Sequence, residues 1–253
     1  MLKLFGAEIT LPEGIHLNQS FGSVFQGALI EQINQEWAGK LHEQAVRPYS
    51  QYLCRKEGKS FWHIATLNEE ACDQIVQPLT DKKTLYLKQK GYEVGLGDFH
   101  VIKESSFQTI EEHFWTGTDR IHHIDMDFLT TTSFKSNGAY IIFPETVLLF
   151  NNILRKWNTY TDSMTLGESH LENKLSEGMN ITGYHLQTRS FSVEGRYISG
   201  FFGNIRLGRF KNDVVSRIAG MLSVFAEYSG AGMKTALGMG AVQSEIFYYQ
   251  KKE

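Results

Sequence analysis

The chain of 253 residues is 42% hydrophobic and 21% charged, with a formal net charge of −3 and a sequence pI near 6.3. That balance builds a packed core and excludes wholesale disorder, and it excludes a uniformly basic nucleic-acid binder, so a polyanion site would need locally clustered cations. Two cysteines, Cys54 and Cys72, fit neither a disulfide framework nor a zinc spacing, no apolar run reaches the roughly 18–20 residues of a membrane span, and residues 1–15 lack a signal-peptide apolar run, so a cytoplasmic location is expected.

Residues 2–11 alternate apolar and polar side chains and read as a strand, stopped by Pro12-Glu13-Gly14. Residues 22–42 read as one helix, because Leu29, Ile33, Trp37 and Leu41 recur every four residues as an apolar stripe. Pro48 disfavours helix in the residue before it. Residues 50–55 and 60–66 flank Lys56-Glu57-Gly58-Lys59 as a hairpin. Asn68 stands where it would cap a helix over 69–79, with Glu69 and Glu70 in the first turn. Residues 84–88 and 94–103 form the closing strand region. The order β-α-β-β-α-β is the ferredoxin-like unit.

Residues 105–120 are read as a polar crossing segment, which divides the chain into 1–118 and 119–253. The pattern then restarts. Residues 124–134 are strand-like, and Pro144 sits ahead of an apolar helix carrying Val147, Leu148, Phe150, Ile153, Leu154 and Trp157. Residues 159–178 are polar and read as an extended connection. Residues 181–191 and 197–207 form a second hairpin, 213–228 an amphipathic helix, and 242–249 a final strand. The expected fold class is α+β, two tandem ferredoxin-like domains.

The stretch Y-S-G-A-G-M-K-T-A-L-G-M-G-A at 228–241 carries Gly230, Gly232, Gly238, Gly240 and a single Lys234. Successive N–H groups of a glycine loop can form an anion-binding concavity, and a lysine adds a point charge suited to phosphate. A tight turn needing positive φ is the plainer reading. The dinucleotide pattern G-x-G-x-x-G fails, because Thr235 stands where its third glycine belongs, and G-x-x-x-x-G-K-[ST] has no match there.

Of the nine histidines, His42 has the most suggestive setting. It follows Leu41, the last member of the stripe, at the edge of a buried face. A histidine titrates near neutrality and can move protons there. His122-His123-x-Asp125 is a rival metal cluster, but a strand would send His123 and Asp125 to one face and His122 to the other, and no metal or other cofactor is expected. Arg189, Arg196, Arg206, Arg209 and Lys211 fall on or beside the second hairpin, interleaved with Phe191, Tyr197, Phe201, Phe202 and Phe210. That mixture suits backbone charge and base stacking, although an ordinary strand pair would look the same. Arg155-Lys156 could share that surface.

Three stretches carry a family resemblance: G-S-V-F-Q-G-A-L-I-E-Q-I through A-G-K-L-H-E to R-P-Y-S, then S-F-K-S-N-G-A-Y-I-I-F-P, and the glycine-rich stretch at 228–241. Together they resemble the sixth Cas family of the repeat-associated RNA-binding superfamily, the CRISPR endoribonucleases, in the form accompanying type III-A systems. The resemblance implies two ferredoxin-like domains and CRISPR repeat RNA as substrate. It implies metal-independent cleavage by 2′-OH attack, leaving a 2′,3′-cyclic phosphate and a 5′-OH. It also implies a monomer or homodimer and transient contact with a type III effector complex.

The family's catalytic histidine falls on His42, and Arg47 stands near a later family lysine. A tyrosine used by some members has no counterpart at Ile30 and Glu31. Gly230, Gly232, Lys234, Thr235, Gly238 and Gly240, with Arg189 and Arg206, are then the expected RNA-binding residues. Two alternatives stay open. One is a non-catalytic RNA-binding subunit of a CRISPR effector complex, which would keep the loop without needing His42. The other is a small-molecule enzyme using a ferredoxin-like cleft.

Overall fold

A computed structural model describes residues 1–167, 170–193 and 195–250. The N-terminal half runs β1 (Leu2–Thr10), α1 (Phe21–Ile30), α2 (Gln35–Glu43), β2 (Tyr49–Lys56) and β3 (Lys59–Thr66). It continues through α3 (Glu69–Ala71), a π turn (Cys72–Val76), α4 (Gln77–Thr80), β4 (Thr84–Leu87), β5 (Tyr92–Leu96) and β6 (His100–Ser105). Its sheet has the order β2-β3-β1-β5-β4, with β6 also paired to β1. Taking β6 as the fourth strand, β2-β3-β1-β6 is the ferredoxin-like order, and β4–β5 is an added hairpin.

The expected single helix over 22–42 is two helices. Asn34 interrupts it with an extended ψ of 131°, and its side chain accepts hydrogen bonds from Glu36 N and Trp37 N. A short polar side chain that satisfies the free N–H groups favours starting a new helix over continuing the old one. Leu29, Ile33, Trp37 and Leu41 nevertheless all lie in one buried core. The hairpin of 56–59 turns on Glu57 and Gly58, both at positive φ, and Asn68 caps its helix by accepting from Ala71 N.

The second half runs α5 (Phe107–Thr116), β7 (Ile121–Thr132), β8 (Phe134–Ser136), β9 (Ala139–Ile141), α6 (Thr146–Tyr160) and α7 (Leu171–Glu177). Then come β10 (Asn180–Val193), β11 (Arg196–Gly208), α8 (Asp213–Ser229), a 3-10 turn (Thr235–Leu237) and β12 (Val242–Tyr248). The sheet order β10-β11-β7-β12 is again ferredoxin-like.

Two expected irregular segments contain helices. The crossing segment at 105–120 holds α5, capped by Ser106 and burying Phe107, Ile110 and Phe114. These sit at i, i+3 and i+7, the spacing of a helical face. The connection at 159–178 contains α7, burying Leu171 and Leu175; residues 168–169 of it lie outside the described residues.

The second core is anchored by an edge-on aromatic set, with Trp157 4.9 Å from Phe107 and 5.2 Å from Phe225 between ring centroids. Leu2 and Ala65 of the first sheet, with Leu67 just after β3, join this core, so it extends across the contact between the two halves. Among the described residues, no helix is long and apolar enough to cross a membrane.

Candidate active site

A groove of about 670 Å³ opens where the end of α2 meets the glycine-rich loop and α6. His42, in the last turn of α2, and Arg47, on the segment leading into β2, line one side. Gly232, Lys234 and Thr235 line the other, backed by Arg155 and Lys156 of α6 and Lys135 of β8. Among its described lining residues are five Lys or Arg side chains plus His42, and none is Asp or Glu. A chain of net charge −3 has therefore collected a purely cationic groove, and such a surface focuses a polyanion.

The loop is held rigidly. Gly230, Gly232, Lys234, Gly238 and Gly240 all have positive φ. At Gly240, with φ 70°, a Cβ would fall 1.9 Å from Ala231 O; at Gly232, with φ 83°, one would fall 2.6 Å from Ser133 O. Side chains at these positions would force the chain apart, so the turn reading accounts for these glycines by itself. Several loop N–H groups are also spent inside the fold: Ala231 N on Gly240 O, Met233 N on Ser133 O, Gly240 N on Thr131 O and Gly232 N on Asn152 Oδ1. The expected concavity of free glycine N–H groups is thus largely consumed by the loop's own closure. Lys234 remains exposed in a stretch whose neighbours are mostly buried.

Both halves of the chain grip this loop. Ser50 Oγ of β2 donates to Tyr228 O at 2.6 Å, and the buried Gln51 donates to both Gly22 O and Ala236 O at 2.9 Å. Trp62 Nε1 fixes the other end of that amide, donating to Gln51 Oε1 at 2.5 Å. Ser50 and Gln51 lie only three and four residues after Arg47. The strand that carries the chain away from His42 and Arg47 is therefore bonded to the loop opposite them.

Arg47 is half-buried, and its Nη1 has no hydrogen-bond partner among the described residues. That Nη1 is itself closed off from solvent, and a buried guanidinium N–H left without an acceptor is costly. Two tyrosines flank it. Burial pushes both Tyr49 and Tyr160 up to about 12, against a smaller opposing effect of the Arg47 charge. Neither is suited to giving up a proton near neutrality, and the Tyr160 hydroxyl is committed to Val46 O at 2.5 Å.

The other expected RNA contacts lie elsewhere. Arg189 sits over the Phe202 ring at 3.7 Å and lines a second groove, with Arg55, Lys90 and Tyr197. Arg206 makes two hydrogen bonds to Asp125, at 2.7 and 2.8 Å, on the outer face of the second sheet. Arg155 and Lys156, expected to accompany the second hairpin, lie instead on the α6 side of the His42 groove, Arg155 exposed and Lys156 buried against the loop. Lys135, Asn151 and Asn152 also line the groove and were not foreseen. Lys135 does lie within S-F-K-S-N-G, one of the stretches that carry the family resemblance.

Alternation does not separate His122 from His123 as expected, because the pairing of β7 with β12 slips between Phe247 and Tyr248, where a bulge absorbs His122. The two imidazoles approach to 2.7 Å between their Nδ1 atoms. Among the described residues, no group of three or more His, Cys, Asp or Glu side chains is placed to share a metal ion.

The profile described as CRISPR-associated endoribonuclease Cas6 matches residues 126–242. A CRISPR-associated endoribonuclease Cas6 of Streptococcus thermophilus is 29% identical over 240 residues, covering 91% of this chain and 93% of that protein. The counterpart of Mycobacterium tuberculosis is 26% identical over 232 residues, covering 88% of this chain and 71% of that protein. Among solved structures, Thermus thermophilus Cas6 superposes with a TM-score of 0.73 at 20% identity, over 97% of this chain and 98% of the other. A Cas6 product complex does so with a TM-score of 0.76 at 20% identity, over 96% and 99%. The tandem ferredoxin-like architecture is therefore shared end to end, and over nearly the whole chain the sequence is similar to CRISPR-associated endoribonucleases named Cas6.

Proposed function

We propose that this protein cuts CRISPR repeat transcripts into guide RNAs by metal-independent transesterification, with His42 moving a proton at the scissile phosphate. The observation that carries this reading is the groove itself. It sets His42 and Arg47 opposite Lys234, with no carboxylate among its described lining residues. The groove forms at the junction of the two units read from the sequence, 1–118 carrying His42 and 119–253 carrying the loop.

In the reaction the substrate 2′-OH attacks the adjacent phosphorus and the P–O5′ bond breaks. One group accepts the 2′ proton and one donates a proton to the leaving 5′ oxygen. His42 fills one of these two roles, which is worth roughly 10²–10⁴-fold in rate. Arg47 turns its guanidinium charge toward the phosphorane oxygens, where oriented donors act most strongly. Lys234 and Arg155 hold the flanking phosphates. The products are a 2′,3′-cyclic phosphate and a 5′-OH, released in the cytoplasm for hand-off to a type III effector complex.

The test is cleavage of a labelled repeat RNA in EDTA by wild type and His42→Ala, with end-group analysis of the products. A single cut, a cyclic phosphate end and its loss in the mutant support the reading. Binding without a cut would place the protein among non-catalytic RNA-binding subunits. A cut that needs a divalent ion, or one that survives in His42→Ala, would remove this mechanism.

A further inference from the structure

Lys156 is a buried lysine with no carboxylate partner among the described residues. It lies on α6, is 6% exposed, and directs its ammonium at Ser229 O and Gly230 O, each at 2.9 Å, with Thr235 Oγ1 at 3.5 Å. Burial, reinforced by the neighbouring Arg155 charge, pulls its pKa down to about 7. A lysine kept in such surroundings is a poor choice for stability, because desolvating the charge costs more than carbonyl dipoles return.

What it touches gives the reason for its presence. Ser229 ends α8 and Gly230 is its cap, so the ammonium sits at the negative end of that helix. The same two residues open the glycine-rich loop, and Thr235 begins the 3-10 turn just after Lys234. One turn earlier on the same face of α6, Asn152 Oδ1 accepts from Gly232 N at 2.8 Å. The adjacent stripe of α6, Asn151 and Arg155, lines the groove. One helix thus presents two stripes: 152 and 156 hold the loop, and 151 and 155 face the ligand.

We propose that Lys156 is a positioning residue for RNA cleavage, clamping the start of the glycine-rich loop so that Lys234 is held in register with His42 across the groove. The proposal rests on the cleavage reading above for its effect on rate, but not for its effect on the loop. Lys156 is mostly shielded from solvent and acts through the loop rather than by contact with RNA. Its loss should therefore slow the reaction of bound RNA more than it weakens binding.

The experiment compares wild type, Lys156→Met and Lys234→Ala in four readouts. These are thermal midpoint, amide exchange of residues 229–241 without RNA, repeat-RNA affinity, and the single-turnover cleavage rate at saturating RNA. For Lys156→Met we expect a thermal midpoint equal to or above wild type, at least tenfold faster exchange in the loop, affinity within threefold, and a saturated rate at least tenfold lower. Unchanged loop exchange would overturn the proposal, as would a wild-type rate at saturation. An affinity loss matching that of Lys234→Ala with an intact saturated rate would also overturn it, because Lys156 would then act as an RNA contact. If wild type itself does not cut, the exchange arm still decides whether Lys156 sets the loop. Should Lys156→Met fail to fold, Lys156→Gln, which can still donate to one carbonyl, is put through the same readouts.

Discussion

Two cationic regions of this molecule look alike in the sequence and differ in space. In the His42 groove, Arg47, Lys135, Arg155, Lys156 and Lys234 converge with no carboxylate among the described lining residues. On the outer face of the second sheet, Arg206 stands in a cross-strand row with Asp125 and Glu245, and the next row holds Asn204, Asp127 and Gln243. One arginine there answers three carboxylates, and the hydrogen bonds from Arg206, helped by its charge, hold the Asp125 carboxyl below its ordinary value. A phosphate approaching the first surface meets uncompensated charge; approaching the second, it meets repulsion. Counting basic residues therefore says little about polyanion binding until their counter-charges are placed.

The contrast can be broken in order of expected effect. His42→Ala, at least ~10²-fold slower in cleavage with RNA affinity retained, is the largest change; a loss of binding instead would make His42 a contact rather than a proton carrier. Lys156→Met follows, with its tenfold or greater drop in saturated rate. Lys234→Ala should weaken RNA binding about tenfold and reduce the salt slope by about one, since one phosphate contact is removed. An unchanged slope would return the loop to a purely structural turn.

A pH measurement sharpens the electrostatic side. The folded value for Lys156, about 7, lies below its ordinary 10.5, so between those values the unfolded chain binds more protons than the folded one. Stability then rises with pH across that window, and the cost of the buried charge is fully present below it. Among the described residues, the groups facing the ammonium are Arg155 and the uncharged Ser229, Gly230 and Thr235 oxygens, and none is a carboxylate that would reverse the sign. Urea unfolding from pH 7 to 10 should show wild type gaining on Lys156→Met, and parallel curves would show that the lysine is not desolvated. Arg206→Ala is the smallest change, with RNA affinity within about twofold. A loss equal to that of Lys234→Ala would erase the distinction between the two surfaces.

Much of the architecture follows from patterns of short range. The stripe from Leu29 to Leu41, the hairpin turning at Glu57-Gly58, the Asn68 cap and the period of α8 are each set by neighbours within a few residues, and each appears in the structure. The errors share a cause as well. Asn34 splits one expected helix because a side chain that caps can also interrupt. Helix α5 reads as a polar segment because its three buried apolar residues stand among polar ones.

What only tertiary structure decides is which charges meet. His42, Lys135, Lys156 and Lys234 are separated by tens of residues, and nothing local in the sequence distinguishes them from Arg206. Their convergence depends on Ser50 and Gln51 of one unit bonding the loop of the other, and the pairing of Arg206 with Asp125 depends on the register of β11 against β7. Sequence determines local conformation because backbone preferences act over a turn or two. Electrostatic character belongs to the fold, because charge acts through space on whatever the chain brings within reach.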